Sequence, residues 1–555
     1  MRQTIGKSRP ICQRQRETST MYPLRCRSFD ISFSLTRPQD SSSFKHQNIW
    51  KPYQMIWSEW GICMLESVRK GEQQQEDLPA RKQPGRGTIG WVSLAMINLA
   101  IIYSVRGLPL MAEEGFRAIS FMAVSAIIFL IPISLVTAEL SSTWPPKGDG
   151  GVYIWVNEAL GERWAFLAIW LQWSENVIWF PTVLSFIAAT LAYAFSPQLA
   201  ENKLYTLTVV LLVYWGGTFA NLRGLKTSAW ISTLGVVSTL ITTGLIVVLG
   251  FNWIIAGNAS QIHFSMASLV PDFTHMDNLV FLAGALVIVS GIEVSAAHAS
   301  QVKNPKRSFP KAIFLSVFIS IASIVLGSLA IAFVVPQKEI SLVAGLMEAF
   351  DKFFAVYHLG WLVPVVALLI VVGSLGEVSA WILGPSKGLL VSARHGLLPP
   401  ILQRTRHGDT PVNILFLQAL VVTCLVFIFL MMPTVSSAYW ILTALTAQLY
   451  LIMYLLMFLS ALVLRYKRPD THRPYRIPGG NFGMWVVVML GLLGGLFTLF
   501  VGFFPPSQLK TGSLLFYESF LILGILVMCG AAFLIYGLRK PGWIKAVEED
   551  EEQKN

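Results

Sequence analysis

The sequence predicts an all-α membrane protein of twelve transmembrane helices. The first ten form an inverted five-plus-five repeat in which helices one and six are broken. Three observations carry this. Of the 555 residues, 54% are hydrophobic and 13% are charged, about half the charged share of an average soluble chain. Apolar windows of about 18 residues or more, enough to cross a bilayer, recur at about 89–112, 116–140, 163–195, 202–221, 226–255, 277–297, 312–336, 358–395, 411–431, 437–464, 484–504 and 514–538. The first and sixth windows are both interrupted and lie five spans apart, which is the pattern of an inverted repeat with its binding site between two discontinuous helices.

Residues 1–87 precede the spans and carry 15 Lys and Arg against 8 Asp and Glu. With no sustained apolar run they are expected to be a disordered basic extension. Their Arg-rich start resembles an organelle transit peptide in composition. A start at Met64 is the competing and favoured explanation. The twelve-helix domain is expected over 88–538 and a short cytoplasmic tail over 539–555, ending in the acidic run Glu548–Glu552.

The first span ends in Tyr103-Ser-Val-Arg-Gly-Leu-Pro109. Gly107 and Pro109 both weaken a helix here, and Arg106 places a charge at the weak point. The second span ends at Glu139-Leu140, and the turn-rich loop Trp144–Gly151 opens an amphipathic segment, Val152–Leu160. The third span carries Glu175 and Asn176 among tryptophans, followed by Pro181; the fourth and fifth carry no internal charge and read as scaffold. The third and eighth windows are long enough for a tilted or broken helix.

The sixth span holds Ser290-Gly-Ile-Glu-Val-Ser-Ala-Ala-His298. An ionisable side chain at this depth is costly and normally turns toward protein. Gly291 lets the backbone leave helical geometry, and an opened backbone is tolerated only where it is buried or lines a cavity. Two readings of Glu293 follow: a substrate site in a transporter, or a packing glutamate bonded to a neighbouring helix. The second interrupted span favours the transporter, because half-helix N-termini can hold a substrate carboxylate. Glu377 in the eighth span is a second intramembrane acid, while Lys387 suits a snorkelling role. Tyr450 and Tyr454 share a face of the tenth span, a spacing that more often serves core packing.

The net charge of +11 would suit a nucleic-acid binder, but the basic residues lie in short loops. With the N-terminus in the cytoplasm, the inner loops hold fifteen Lys and Arg: Lys147, Arg223, Lys226, Lys303, Lys306, Arg307, Lys311, Arg394, Arg404, Arg406, Arg465, Lys467, Arg468, Arg473 and Arg476. The outer loops hold five: Arg117, Lys203, Lys338, Lys352 and Lys510. The positive-inside rule then places both termini in the cytoplasm. The partners expected are the bilayer and small amino acid substrates, with no nucleic acid; the sequence carries no signal of oligomeric state. The five cysteines (Cys12, Cys26, Cys63, Cys424, Cys529) show neither metal-ligand spacing nor a disulfide framework. No nucleophile–base pair, metal cluster or phosphate loop is recognisable, so no catalytic residue, cofactor or metal is expected.

Several stretches in register resemble the amino acid–polyamine–organocation superfamily, most closely its bacterial glutamate/γ-aminobutyrate antiporters. They are Ile131–Leu140, Gly150–Val156 with Leu160–Trp164, Gly291–His298 with Asn304-Pro305, Glu377–Ser386, Leu397–Pro399 and Ile477–Gly480. The resemblance runs from about 89 to 538. It implies the LeuT-type fold and exchange of amino acids or their decarboxylation products across a plasma membrane, the inner membrane in a bacterium. By this resemblance Glu377, Tyr450 and Tyr454 fall where those antiporters line the transport path, and Glu293 falls at the glutamate after the break in the sixth helix; with Ser104, Arg106, Gly107 and Gly291 of the two breaks they make up the expected substrate site. Three departures stand out. Arg106 replaces a tyrosine of those antiporters, Glu175 replaces an apolar residue, and the tail is too short for their folded plug. A buried Arg106–Glu175 ion pair is the expectation that joins the first two. The alternatives are an exchanger or permease for cationic amino acids or polyamines and, more remotely, a non-transporting amino acid sensor.

Overall fold

The computed structural model describes residues 90–144, 151–223, 225–270, 276–295, 302–406, 410–505 and 513–543. Eleven of the described helices are long and apolar enough to cross a membrane, and a bent pair, Trp91–Ile102 with Val105–Ala112, makes twelve. Spans two to twelve are Arg117–Thr143, Glu162–Ala192, Lys203–Leu222, Trp230–Ile255, Asn278–Ser295, Arg307–Val334, Gly360–Arg394, Val412–Met431, Val435–Lys467, Gly480–Val501 and Leu514–Gly537. The strands among the described residues are Thr405–Arg406 and Thr410–Pro411, one short antiparallel pair. The extension expected over 1–87, His298, loop residues 145–150 and tail residues 544–555 lie outside the described residues.

The hydropathy windows match the helices span for span. The third and eighth are each one long helix rather than two pieces. Glu162–Ala192 runs 31 residues through Pro181, and Val363–Arg394 runs 32 through Pro385. Neighbouring helices re-satisfy the backbone groups that such a proline frees. The third span is the central mast: 94% of its apolar window is buried, and it packs against the tenth and eighth spans. Its polar run Gln172, Ser174, Glu175, Asn176 is buried in protein, which is why so polar a segment can sit at membrane depth.

Both expected interruptions are present. After Ile102 the backbone is extended at Tyr103 and Ser104, with φ −112° and −133°, before it re-enters a short 3-10 turn at Val105–Gly107. The two halves of the first span meet at 41°. The sixth span is helical over Met276–Ile288, opens at Val289–Gly291 and closes into a turn over 292–295. Gly291 has φ +117°, a region open chiefly to glycine. A Cβ there would lie 3.0 Å from Trp381 and 3.3 Å from Ile101. One at Gly107 would lie 3.2 Å from Ile288, so the two breaks face each other.

The eighth span is fixed against the fifth by backbone contact. A Cβ on Gly235 would come within 2.5 Å of the Gly376 Cα, the close approach that small residues permit between membrane helices. At the opposite ends of other spans, distant sequence stretches converge. Glu139 of the second span takes Arg465 of the tenth at 2.6 Å, Arg473 of the following loop at 3.2 Å and the Ile477 backbone N–H at 2.8 Å. Tyr153 meets His395 Nδ1 at 2.9 Å.

Candidate substrate site

The site forms where the opened backbones of spans one and six meet the third, eighth and tenth helices. Ser104, in the first break, is extended, so its hydroxyl points sideways rather than along a helix. It donates to Glu377 Oε2 at 2.8 Å and accepts the Arg106 backbone N–H at 3.4 Å. Tyr103 is buried beside it and meets Thr243 Oγ1 of the fifth span at 2.5 Å. These contacts hold the unwound turn between the fifth and eighth spans.

Arg106 lies between two aromatic faces, with its guanidinium carbon 5.5 Å from the Trp179 ring centroid and 5.7 Å from that of Tyr439. Both are within cation–π range. Its Nη1 donates to the Tyr439 hydroxyl at 2.8 Å, and its buried Nε has no hydrogen-bond partner among the described residues. Glu377 is near enough for the two charges to act on each other, yet no ion pair within 4.0 Å joins them. The half-buried pocket of Ser104, Arg106, Gly107 and Glu377 therefore offers a cation and an anion side by side, neither neutralised by direct contact with the other. Its walls are aromatic: Trp179 and Trp381 lie 5.6 Å apart, and Trp381 meets Tyr450 edge-on at 6.4 Å.

The second half of the expected site is a closed network. Glu293 is 1% exposed and accepts three hydrogen bonds. Tyr450 and Gln172 donate to Oε1 at 2.5 and 3.1 Å, and Tyr454 donates to Oε2 at 2.5 Å. The Tyr454 hydroxyl also accepts the Gly291 N–H at 2.7 Å. One phenol thus ties the opened backbone of the sixth span to the glutamate two residues on. Tyr450 and Tyr454, expected along the transport path, place their hydroxyls on Glu293 rather than in the pocket of Glu377.

The expected Arg106–Glu175 pair is not formed. Arg106 is taken by Tyr439 and stacks on Trp179, one turn beyond Glu175 on the third helix. Glu175 instead lies in the field of Glu293 and is buried, and its Oε1 has no hydrogen-bond partner among the described residues. The indole, rather than the carboxylate, occupies the face presented to the guanidinium.

Sequence reasoning missed Trp179, Trp381, Tyr439 and Gln172. Helical spacing carried a signal for three of them. Trp179 and Trp381 each follow an intramembrane glutamate by four residues, and Tyr439 precedes Tyr450 by about three turns, so each pair shares a face. Among the described residues no group of three or more His, Cys, Asp or Glu is placed to hold a metal.

A model of the amino acid permease family matches residues 89–527. The chain belongs to the amino acid permease family. The permease is 43% identical to an uncharacterized transporter of Legionella pneumophila over 78% of this chain and 93% of that one. It is 31% identical to a glutamate/gamma-aminobutyrate antiporter of Lactococcus lactis subsp. lactis over 82% of this chain and 91% of that one. A probable agmatine/putrescine antiporter of the same organism is 24% identical over 74% of this chain and 86% of that one. The permease is thus a multi-pass integral membrane transporter, and not an enzyme.

Proposed function

We propose that this permease is a secondary active antiporter that exchanges glutamate or a related amino acid for γ-aminobutyrate or another amino acid or decarboxylation product. We place it in a bacterial inner membrane with both termini in the cytoplasm. The observation that carries the reading is the unpaired juxtaposition of Arg106 and Glu377 at the break of the first span. A zwitterion supplies one charge for each. Its carboxylate would take the free guanidinium edge of Arg106, a planar donor fork suited to that group. Its ammonium would take Glu377, with the aromatic walls excluding water. The two antiporter relatives at 31% and 32% identity support the substrate pair.

The competing reading is an exchanger or permease for cationic amino acids or polyamines, supported by relatives named for agmatine/putrescine and polyamine transport. Glu377 suits a cation. Arg106 opposes it, because a guanidinium stays charged at any physiological pH and would repel a dication a few ångströms away. The test is counterflow in proteoliposomes: load one amino acid, offer a labelled panel of acidic, neutral and cationic amino acids and amines outside, and scan pH. Uptake of glutamate that requires a loaded counter-substrate, and its loss in Arg106→Ala, supports exchange. Preference for putrescine or agmatine establishes the cationic reading, and binding without flux the sensor.

A further inference from the structure

We propose that Glu175 is a proton-binding site of the carrier, separate from the pocket of Arg106 and Glu377, and that its proton is exchanged as the sixth span moves. Glu175 is 2% exposed at the centre of the most buried helix, and its Oε1 is aimed at no donor among the described residues. The groups whose charge reaches it are Glu293 from the sixth span and the Tyr450 hydroxyl from the tenth. The first span contributes Arg106, which is engaged by Tyr439 and Trp179 rather than by Glu175. The eighth contributes Glu377, turned to Ser104. No lysine, arginine or histidine among the described residues forms an ion pair with Glu175.

Two neighbouring carboxylates buried without a counter-cation do not both stay ionised. The geometry decides which of the two holds the proton. Glu293 has a donor on each oxygen, two on Oε1 and one on Oε2. Three hydrogen bonds stabilise its anion. Glu175 has no comparable set and is left as the neutral acid, which needs only one oxygen and no cation cage.

The coupling follows from where Glu293 is mounted. It sits two residues past Gly291, on the opened turn that Tyr454 holds through the Gly291 N–H. Displacement of that turn carries the Glu293 charge away from Glu175. The repulsion that keeps the Glu175 proton in place then falls, its O–H bond breaks, and the proton passes to water on whichever side is open. When the turn returns, a proton from water rebinds the carboxylate. No oxidant or further reactant is needed.

This coupling rests on the transporter assignment but not on the identity of the substrate. Two measurements on the full chain test it. Infrared difference spectra of the purified protein at neutral pH, wild type against Glu175→Gln in a Glu113→Gln background, should show the carbonyl stretch of a neutral carboxylic acid that Glu175→Gln removes. In proteoliposomes containing a pH-sensitive dye, about one proton should accompany each substrate molecule, and that ratio should fall to about zero in Glu175→Gln. Should Glu175→Gln not fold, Glu175→Leu is read in the same way. The proposal is overturned if the band persists in Glu175→Gln or if the proton ratio is unchanged in that variant. A band lost in Glu175→Gln supports the proton site even where the vesicles give no amino acid exchange, an outcome that sinks only the exchange reading.

Discussion

Tyr454→Phe removes one oxygen atom and, with it, two connections. The Tyr454 hydroxyl donates to Glu293 Oε2 at 2.5 Å and accepts the Gly291 N–H at 2.7 Å. The ring itself keeps its contacts with Phe129 at 5.4 Å and Tyr450 at 4.6 Å, so no cavity opens. Loss of a hydrogen bond to a charged group costs about 1.5–3 kcal/mol, and a buried N–H left unpaired costs about 1–3 kcal/mol more. Tyr450→Phe is the control. It removes a donor from Oε1, but Gln172 remains on that oxygen at 3.1 Å and no backbone group is orphaned. Its cost should stay below about 3 kcal/mol. Equilibrium unfolding in mixed micelles, titrated with a denaturing detergent, should rank Tyr454→Phe as the weaker protein by at least about 1 kcal/mol. The reasoning is refuted if Tyr450→Phe is equally or more damaging. It is equally refuted if both cost only the ~0.6 kcal/mol typical of hydrogen bonds within membrane bundles, because the orphaned groups would then have found new partners.

Glu139→Gln should leave Arg465, 3% exposed, and Arg473 without their counter-charge, and cost about 3–5 kcal/mol; the yield of monodisperse protein should collapse, and an unchanged yield would show that the two arginines find other partners. Gly291→Ala forces a side chain into φ +117° and to within 3.0 Å of Trp381. It should cost about 1–3 kcal/mol, shift tryptophan fluorescence and slow counterflow, and normal exchange would show that the break relaxes freely. Burial, reinforced by the charge of neighbouring Glu114, pushes the Glu113 carboxyl beyond the end of the first span up to about 8. The folded state therefore holds a proton that the unfolded chain releases above about 4.5. Stability should fall as pH rises from about 4.5 to about 8 and level off above that. Glu113→Gln should flatten this window in thermal unfolding curves and stabilise the protein at alkaline pH, and an unchanged slope would assign the titration elsewhere.

Composition and period determined the fold class because a bilayer leaves a chain few choices. Every backbone polar group must be satisfied within a helix, so twelve apolar windows became spans with ends shifted by only a few residues. The two interruptions were equally legible, since Gly107 with Pro109 and Gly291 weaken a helix locally whatever surrounds it. Sequence also named Ser104, Arg106, Glu293 and Glu377, because a polar group at membrane depth requires a reason. Partnership was a different matter. Which acid meets which cation depends on the rotation and depth of helices that contact one another across hundreds of residues, as Arg106 does Tyr439 and Ser104 does Glu377. No local signal encodes that. Charge complementarity suggested Arg106 with Glu175, but the packing of the third span turned Trp179 to the guanidinium and Glu175 toward Glu293. The same packing placed the two tyrosines, whose spacing fitted either a path or a core, as donors to one buried carboxylate.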